Sequence, residues 1–135
     1  MRTQLLHTML RVTDLERSVD FYTKVLGLRE QRRKVLEKAD ATLVFLVDEQ
    51  GHHAIELTYN HDGRSYDLGN QFGHLAFGVV DLDATGESLQ GLGLSFDRGP
   101  YLVSEDGPRI AFIRDPDGVE LELIEVGSIQ PPDDD

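Results

Sequence analysis

Two histidines and two glutamates stand at matched places along this sequence. His7 and His74 each lie at the start of a segment in which apolar residues alternate with others, and Glu56 and Glu122 each lie in a later such segment. Two imidazoles and two carboxylates form a donor set that suits a borderline divalent cation such as Ni²⁺, Co²⁺ or Zn²⁺. A carboxylate can also accept and return a proton. The four residues therefore predict a metal site with acid–base capacity.

The matched places belong to an internal repeat with an offset of 66 or 67 residues. The matched pairs are His7 with His74, Val12 with Val79, Asp14 with Asp81, Phe45 with Phe112, Asp48 with Asp115, Gly51 with Gly118, and Glu56 with Glu122. Self-similarity at a fixed distance indicates a duplicated module. We predict modules at residues 1–62 and 70–127, joined by a linker at Gly63–Gly69.

Each module is predicted to run strand, helix, then three strands. The first helix is expected to begin at a capping box in which Thr13 is the cap and Glu16 reaches back, and to end at Gly27. Gly86 weakens the second helix, near Leu82–Gly91. The predicted strands are 5–12, 28–37, 42–47 and 53–58 in the first module, and 73–80, 94–98, 108–114 and 119–125 in the second. The fold class is therefore α+β, with two tandem βαβββ modules.

Alternation along the strands separates a packed face from a face that is free for chemistry. Leu75, Phe77 and Val79 share one face and are expected to pack beneath the helix, which leaves His74 on the other. The same rule places one His and one Glu of each module on the face away from its helix, and a pseudo-twofold pairing of modules would bring the four together. A single His or Glu in a strand is more often a packed or solvated residue, but a match repeated in register favours ligands.

Composition excludes several classes of protein. The formal net charge is −12, so phosphate backbones would be repelled. The cluster Arg29, Arg32, Arg33 and Lys34 is interpreted as a solvated face. No cysteine is present, which excludes disulfides and thiolate sites and fits the cytoplasm. No apolar run predicts a membrane helix or a secretion signal. The acidic tail, residues 128–135, is predicted to be disordered.

Several motifs lie within residues 5–126. They are Leu6-His7-Thr8-Met9-Leu10-Arg11-Val12, Asp20-Phe21-Tyr22-Thr23-Lys24-Val25-Leu26-Gly27, Ile55-Glu56-Leu57-Thr58-Tyr59-Asn60, Gly73-His74, and Asp115-Pro116-Asp117-Gly118 followed by Glu122-Leu123. These motifs resemble those of glyoxalase I, a family of the vicinal oxygen chelate superfamily. The resemblance implies paired βαβββ modules and one divalent cation per site. It also implies a homodimer in which each site takes His7 and Glu56 from one chain and His74 and Glu122 from the other. The compact length suggests the nickel- or cobalt-activated branch, with zinc as the alternative.

The chemistry implied by this resemblance is that of a lactoylglutathione lyase, a carbon–sulfur lyase that detoxifies 2-oxoaldehydes. Methylglyoxal adds to glutathione or a related thiol, and the hemithioacetal is isomerised to an S-lactoyl-thiol by removing a proton from one carbon and returning it to the next. We choose Glu122 as the base, and Glu56, its pseudo-symmetric counterpart, is predicted as a second catalytic residue that assists or processes the opposite stereoisomer. The expected partner is a small-molecule substrate. Neither a nucleic acid nor a membrane is expected as a partner.

Contacts to the thiol are expected at Arg11 and Asn60, which match family positions that contact glutathione. Arg11 lies about 13 Å from His7 along the same strand face. The family often carries lysines where this chain has Ser104–Pro108, so Arg109 is predicted to substitute, or the thiol is a polyamine conjugate or bacillithiol. The alternative functions are an extradiol dioxygenase or epimerase, which lacks a glutamate matching Glu56, and a drug-sequestering protein, which commonly loses the ligands. His61 is a weaker candidate for a substrate contact.

Overall fold

A computed structural model describes residues 1–130, which form two compact units, 1–67 and 68–130. The first unit contains β1 (His7–Arg11), α1 (Leu15–Asp20) extended by a π-helical turn (Phe21–Val25), β2 (Arg29–Leu36), β3 (Ala41–Val47) and β4 (Ala54–Asn60). Its strands form one sheet in the order β1-β4-β3-β2. The first and last strands of the unit, β1 and β4, are parallel, whereas the other neighbours are antiparallel.

The second unit repeats this topology. It contains β5 (Leu75–Val79), α2 (Leu82–Gly91), β6 (Arg98–Leu102), β7 (Arg109–Arg114) and β8 (Glu120–Glu125). The sheet order is β5-β8-β7-β6, again with its first and last strands parallel. The α+β class and the two βαβββ modules are therefore confirmed. No helix within residues 1–130 is long and apolar enough to cross a membrane.

The cap of the first helix differs from the prediction by one residue. Asp14, not Thr13, is the N-cap, and its carboxylate accepts a hydrogen bond from the backbone N–H of Arg17. Asp81 caps α2 in the same way, through the N–H groups of Asp83 and Ala84. Both residue types are good caps, and the extended backbone that a cap requires occurs at the aspartate. Gly27 follows the helix with φ of +73°, as predicted for its end.

The first strand after α2 also lies elsewhere than predicted. The sequence favoured 94–98, whereas β6 spans Arg98–Leu102. The backbone N–H of Leu94 still donates to the carbonyl of Leu89, so this part of the predicted strand closes the end of the helix instead. Gly99 has φ of +83°, and a Cβ there would lie 2.7 Å from the carbonyl oxygen of Ile110. The strand therefore requires glycine where it bends against β7.

Each sheet has a helix face, which packs against the helix of its unit, and an open face, which points the other way. The helix faces hold fully buried residues, among them Val44, Leu46, Leu57, Leu121 and Leu123. Burial of each leucine contributes about 1.5–3 kcal/mol relative to exposure. A second buried cluster, Phe45, Val47 and Ala54, lies on the open face of the first unit. The open face of the first unit carries, strand by strand, His7, Met9 and Arg11; Glu56, Thr58 and Asn60; Leu43, Phe45 and Val47; and Arg32 and Lys34.

The predicted tail is described only in its first part. Residues 128–130 belong to no helix or strand. Residues 131–135 lie outside the described residues.

Candidate metal centre

The first unit brings His7 and Glu56 together on its open face. In the parallel ladder of β1 and β4, Met9 lies opposite Glu56, so His7 is its diagonal neighbour on the same face. The Nε2 atom of His7 lies 3.3 Å from Oε1 of Glu56. The imidazole is 40% exposed and the carboxylate 12%, so the pair is accessible from one side.

The second unit builds an equivalent pair. Ala76 lies opposite Glu122 in the parallel ladder of β5 and β8, and His74 immediately precedes β5. The Nε2 atom of His74 lies 3.3 Å from Oε1 of Glu122, with exposed fractions of 41% and 17%. The two pairs thus agree in distance and in accessibility, as the repeat requires.

The geometry of each pair fits a shared cation. Two ligands that each lie about 2.1 Å from one divalent ion are themselves about 3 Å apart. The observed 3.3 Å between nitrogen and oxygen is close to this separation in both units. Within residues 1–130, no group of three or more His, Asp or Glu side chains is placed to hold a metal ion. Each unit therefore brings together one histidine and one glutamate, two side chains of the types that bind divalent cations.

A buried phenylalanine packs against the imidazole ring of each histidine. The rings of His7 and Phe45 are 5.6 Å apart at an angle of 79°, and those of His74 and Phe112 are 5.7 Å apart at 84°. Both are edge-to-face contacts, which favour one orientation of the imidazole. The two phenylalanines occupy matched positions of the internal repeat, but the sequence alone indicates no role for them.

An arginine covers each of these phenylalanines. The Cζ atom of Arg32 lies 4.0 Å from the centre of the Phe45 ring, and that of Arg98 lies 3.9 Å from the centre of Phe112. The sequence pattern placed Arg32 in a solvated face and indicated no role for Arg98, so neither stack was predicted. The two arginines match at an offset of 66 residues, the offset that relates Glu56 to Glu122, so extending the repeat through β2 and β6 would have found them.

The two glutamates differ in their second oxygen. The hydroxyl of Thr58 donates a 2.7 Å hydrogen bond to Oε2 of Glu56. Ile124 occupies the corresponding position two residues after Glu122 and has no hydroxyl. Within the described residues, His74 is the side chain that the carboxylate of Glu122 contacts. Glu56 is therefore held in place and Glu122 is freer to move.

The predicted substrate residues do not all lie on the open faces of the two sheets. Arg11 and Asn60 lie on the open face of the first unit, and the amide of Asn60 donates to the hydroxyl of Tyr66 at 2.7 Å. Arg109 lies on the helix face of the second unit, where it donates to Asp83 of α2 at 3.0 Å. This hydrogen bond raises the pKa of the Arg109 guanidinium. Arg109 is thus not on the face that carries His74 and Glu122.

His61 lies away from the histidine–glutamate pair of its own unit. Its Nδ1 lies 2.9 Å from a carboxylate oxygen of Asp40 and its Nε2 lies 2.7 Å from the hydroxyl of Thr42. His61, Thr42 and Tyr59 help to line a cavity of about 600 Å³ that does not include His7 or Glu56. These contacts tie the turn before β3 to the end of β4.

Comparisons with known proteins agree with this geometry. Residues 4–123 match the model of the Glyoxalase/Bleomycin resistance protein/Dioxygenase superfamily. The chain is 45% identical over 124 residues to a lactoylglutathione lyase of Haemophilus influenzae, covering 90% of this chain and 92% of that protein.

Solved structures show the same likeness. Glyoxalase I from Zea mays superposes with a TM-score of 0.84 at 34% identity, over 96% of this chain, which spans only 47% of the Zea mays chain. The trypanothione-dependent glyoxalase I of Leishmania major superposes with a TM-score of 0.76 at 36% identity, over 92% of this chain and 87% of that one.

Proposed function

We propose that His7, Glu56, His74 and Glu122 form the active site of this chain. The chain belongs to the Glyoxalase/Bleomycin resistance protein/Dioxygenase superfamily. Its function is that of glyoxalase I, a lactoylglutathione lyase. The observation that supports this assignment most directly is the repeated pair, with an imidazole nitrogen and a carboxylate oxygen 3.3 Å apart in each unit. The family implies a divalent cation and a glutathione-type co-substrate, and the donor set of the two pairs suits such a cation.

The proposed reaction moves one proton between adjacent carbons of the hemithioacetal of methylglyoxal. When bound, the cation stabilises the negative charge that develops on the two neighbouring oxygens. We assign removal of the proton from the first carbon, and its return to the second, to the carboxylate of Glu122. The absence of a hydroxyl at Ile124 supports this assignment, because a base that must move is better without a second hydrogen bond. The carboxylate of Glu56, held by Thr58, is suited to a stationary role as ligand.

A homodimer would complete the site. Each unit has only two of the four ligands, and we propose that His7 and Glu56 of one chain meet His74 and Glu122 of a second. Nickel is the proposed metal, with cobalt as its equivalent and zinc as the alternative, because nitrogen and oxygen donors without thiolate accept all three. The cytoplasm is the proposed location, since a chain without cysteine needs no oxidising compartment.

Substrate contacts are proposed at Arg11 and Asn60. Both lie on the open face with His7 and Glu56, so a thiol bound over this face reaches them. Arg109 remains a prediction, and its ion pair with Asp83 would have to break for it to bind substrate. The thiol itself is proposed to be glutathione or a close relative.

Turnover by the purified chain tests this function. The apoprotein is loaded with Ni²⁺ and mixed with methylglyoxal and glutathione, and thioester formation is followed by its ultraviolet absorbance. We expect turnover that depends on the metal and disappears with a chelator. A metal-loaded protein that forms no thioester with glutathione, a polyamine conjugate or bacillithiol would reject the proposal.

A further inference from the structure

The open face of the first unit carries an arginine that forms no ion pair with an acidic side chain of residues 1–130. We propose that this residue, Arg32, binds a carboxylate of the thiol half of the substrate, so that the thiol is one with an anionic group on this side. The inference rests on the proposed function, and it adds a specificity-determining residue that the resemblance did not supply.

Strand register places Arg32 on the face of the metal ligands. Arg32 lies opposite Phe45 in the ladder of β2 and β3, and Phe45 lies opposite Glu56 in the ladder of β3 and β4. Residues directly opposite one another share a face, so the three form a row across the sheet. Neighbouring strands are about 4.8 Å apart, which places the backbone of Arg32 about 10 Å from that of Glu56. An extended tripeptide covers about this length.

The stack on Phe45 prepares the guanidinium for an anion. With its Cζ 4.0 Å from the ring centre, Arg32 is held over the aromatic face by cation–π attraction. The N–H donors lie around the rim of the planar guanidinium, and stacking leaves that rim available to a carboxylate. Within residues 1–130, Arg32 has no ion pair and no side-chain hydrogen bond, and it is exposed. Its restricted side chain therefore retains free donors.

Other arginines in similar positions are already engaged. Arg33, the next residue of β2, points to the helix face and pairs with Glu16 and Glu30, and the hydrogen bond with Glu16 is the main cause of its raised pKa. Arg98 repeats the stack in the second unit but donates to Glu120 at 3.0 Å. The stacked cation of the first unit thus differs from its counterpart in having no acidic partner within the described residues.

The charge pattern favours a carboxylate over a polyamine. Arg11 lies on β1 and Arg32 on β2, which are the two edge strands of the sheet, and Lys34 shares the open face with them. None of the three has an ion pair in the part of the chain that the structure describes. Two arginines at opposite edges match a thiol with a carboxylate at each end, as in glutathione. A cationic polyamine arm over the same face would be repelled.

The test compares Arg32→Met, which keeps much of the side-chain length, with two matched controls. Arg33→Met removes the neighbouring charge from the helix face, and Arg98→Met removes the stacked arginine that is already paired. Binding of S-methylglutathione, which cannot react, is measured by calorimetry on the nickel-loaded proteins. We expect the Kd to rise about tenfold for Arg32→Met, the loss of one charge-assisted hydrogen-bonded contact. Both controls should stay within about twofold, and Arg32→Lys should recover part of the affinity.

Steady-state kinetics then identify the carboxylate. The hemithioacetals of glutathione, of its glycyl ethyl ester and of an analogue without the α-carboxylate of the γ-glutamyl residue are compared. For glutathione we expect Arg32→Met to raise KM about tenfold with kcat little changed. With one of the two modified thiols this penalty should vanish, because the group that Arg32 contacts is then missing.

Three results would overturn the role of Arg32. They are an unchanged Kd in Arg32→Met, an equal loss in Arg98→Met, and a KM penalty that persists with both modified thiols. A wild-type enzyme without turnover would contradict the proposed function instead, and the calorimetric comparison would still decide whether Arg32 binds a carboxylate. Wild-type protein that does not bind S-methylglutathione would reject the inference directly.

Discussion

Thr58 holds Glu56 by a 2.7 Å hydrogen bond, on the same strand face and two residues further along β4. The repeat places Ile124 where a second threonine would hold Glu122. The glutamates of the two histidine–glutamate pairs are therefore chemically alike but held differently. This difference gives a structural basis for two roles, a fixed ligand and a mobile base.

Removal of the hydroxyl at position 58 should weaken metal binding. Thr58→Val keeps the shape of the side chain and deletes the hydrogen bond to Glu56. Loss of a group that orients a ligand typically lowers metal affinity about tenfold or more. Competition titration with a chromophoric chelator and Ni²⁺ measures the change. Val119→Ala, which alters a buried residue that is not one of the four proposed ligands, controls for general destabilisation. An affinity equal to wild type in Thr58→Val would contradict the role of the threonine.

Addition of a hydroxyl at position 124 should slow turnover instead. Ile124→Thr can place a hydrogen bond on Glu122 as Thr58 does on Glu56. A hydrogen bond to a charged group contributes about 1.5 kcal/mol or more, so its loss during the reaction would lower kcat about tenfold. Metal affinity should not fall. A variant with weaker nickel binding and normal kcat would oppose the assignment of a mobile base.

The two glutamate-to-glutamine variants should separate the acids by function. Glu122→Gln should retain measurable nickel and lose nearly all turnover, because the amide cannot accept the substrate proton. Glu56→Gln should lose metal affinity and retain more turnover once metal is supplied in excess. Nickel content by elemental analysis is measured beside kcat. Near-native turnover in Glu122→Gln would reject Glu122 as the base.

Mixing two inactive variants tests whether sites are shared between chains. One variant carries His7→Ala with Glu56→Ala, and the other carries His74→Ala with Glu122→Ala. In a randomly exchanged homodimer, half of the dimers are mixed and one of their two sites has all four ligands, which predicts recovery of about a quarter of wild-type activity. Size-exclusion chromatography with tagged chains confirms that the chains have exchanged. If no activity returns after this exchange, the result counts against a site shared between chains.

The free energy of unfolding should fall by different amounts when Asp48 or Asp115, the matched aspartates of the two repeated turns, is replaced. Asp115 is 6% exposed, and its carboxylate accepts hydrogen bonds from Asp117 and Val119 at 2.9 and 2.8 Å. Asp48 is exposed and accepts from Gln50 and Gly51 at 3.1 Å.

The free energy of unfolding should therefore fall by about 1–3 kcal/mol in Asp115→Ala, because buried N–H groups lose their partner. The loss in Asp48→Ala should be smaller, because water replaces the carboxylate. Urea titration followed by circular dichroism measures both variants. Equal losses would indicate that burial does not set the cost.

Much of the fold and of the candidate site could be predicted from the sequence because the same module occurs twice in the chain. The offset between His7 and His74 gave the length of the repeated module. The alternation of side chains between the two faces of β4 and β8 placed Glu56 and Glu122 on the open faces. The strand before β7 was misplaced because the apolar residues after α2 serve the end of that helix. Thr13 and Asp14 are adjacent residues with similar N-cap propensity. The hydrophobic alternation of the sequence does not decide which of them caps the helix.

Contacts that depend on register between distant strands escaped prediction. Arg32 meets Phe45 only because a shift in the β2–β3 ladder, between Glu30 and Arg32, sets which residues lie opposite. Arg109, a predicted substrate contact, lies on the helix face and donates to Asp83 of α2, a contact that the sequence did not indicate. The face of Arg109 follows from the alternation along β7, in which the next residue, Ile110, lies opposite Ile124 of β8.

His7 lies on the first strand of its unit and Glu56 on the last, and the parallel ladder between β1 and β4 brings these distant parts of the chain side by side. A cation held by both would fasten the unit at the point where its ends meet. A ligand present at a hundred times its Kd stabilises the native state by about 2.7 kcal/mol, so metal supply and resistance to unfolding become one equilibrium. A cell starved of the ion would then lose the protein to proteolysis as well as its activity.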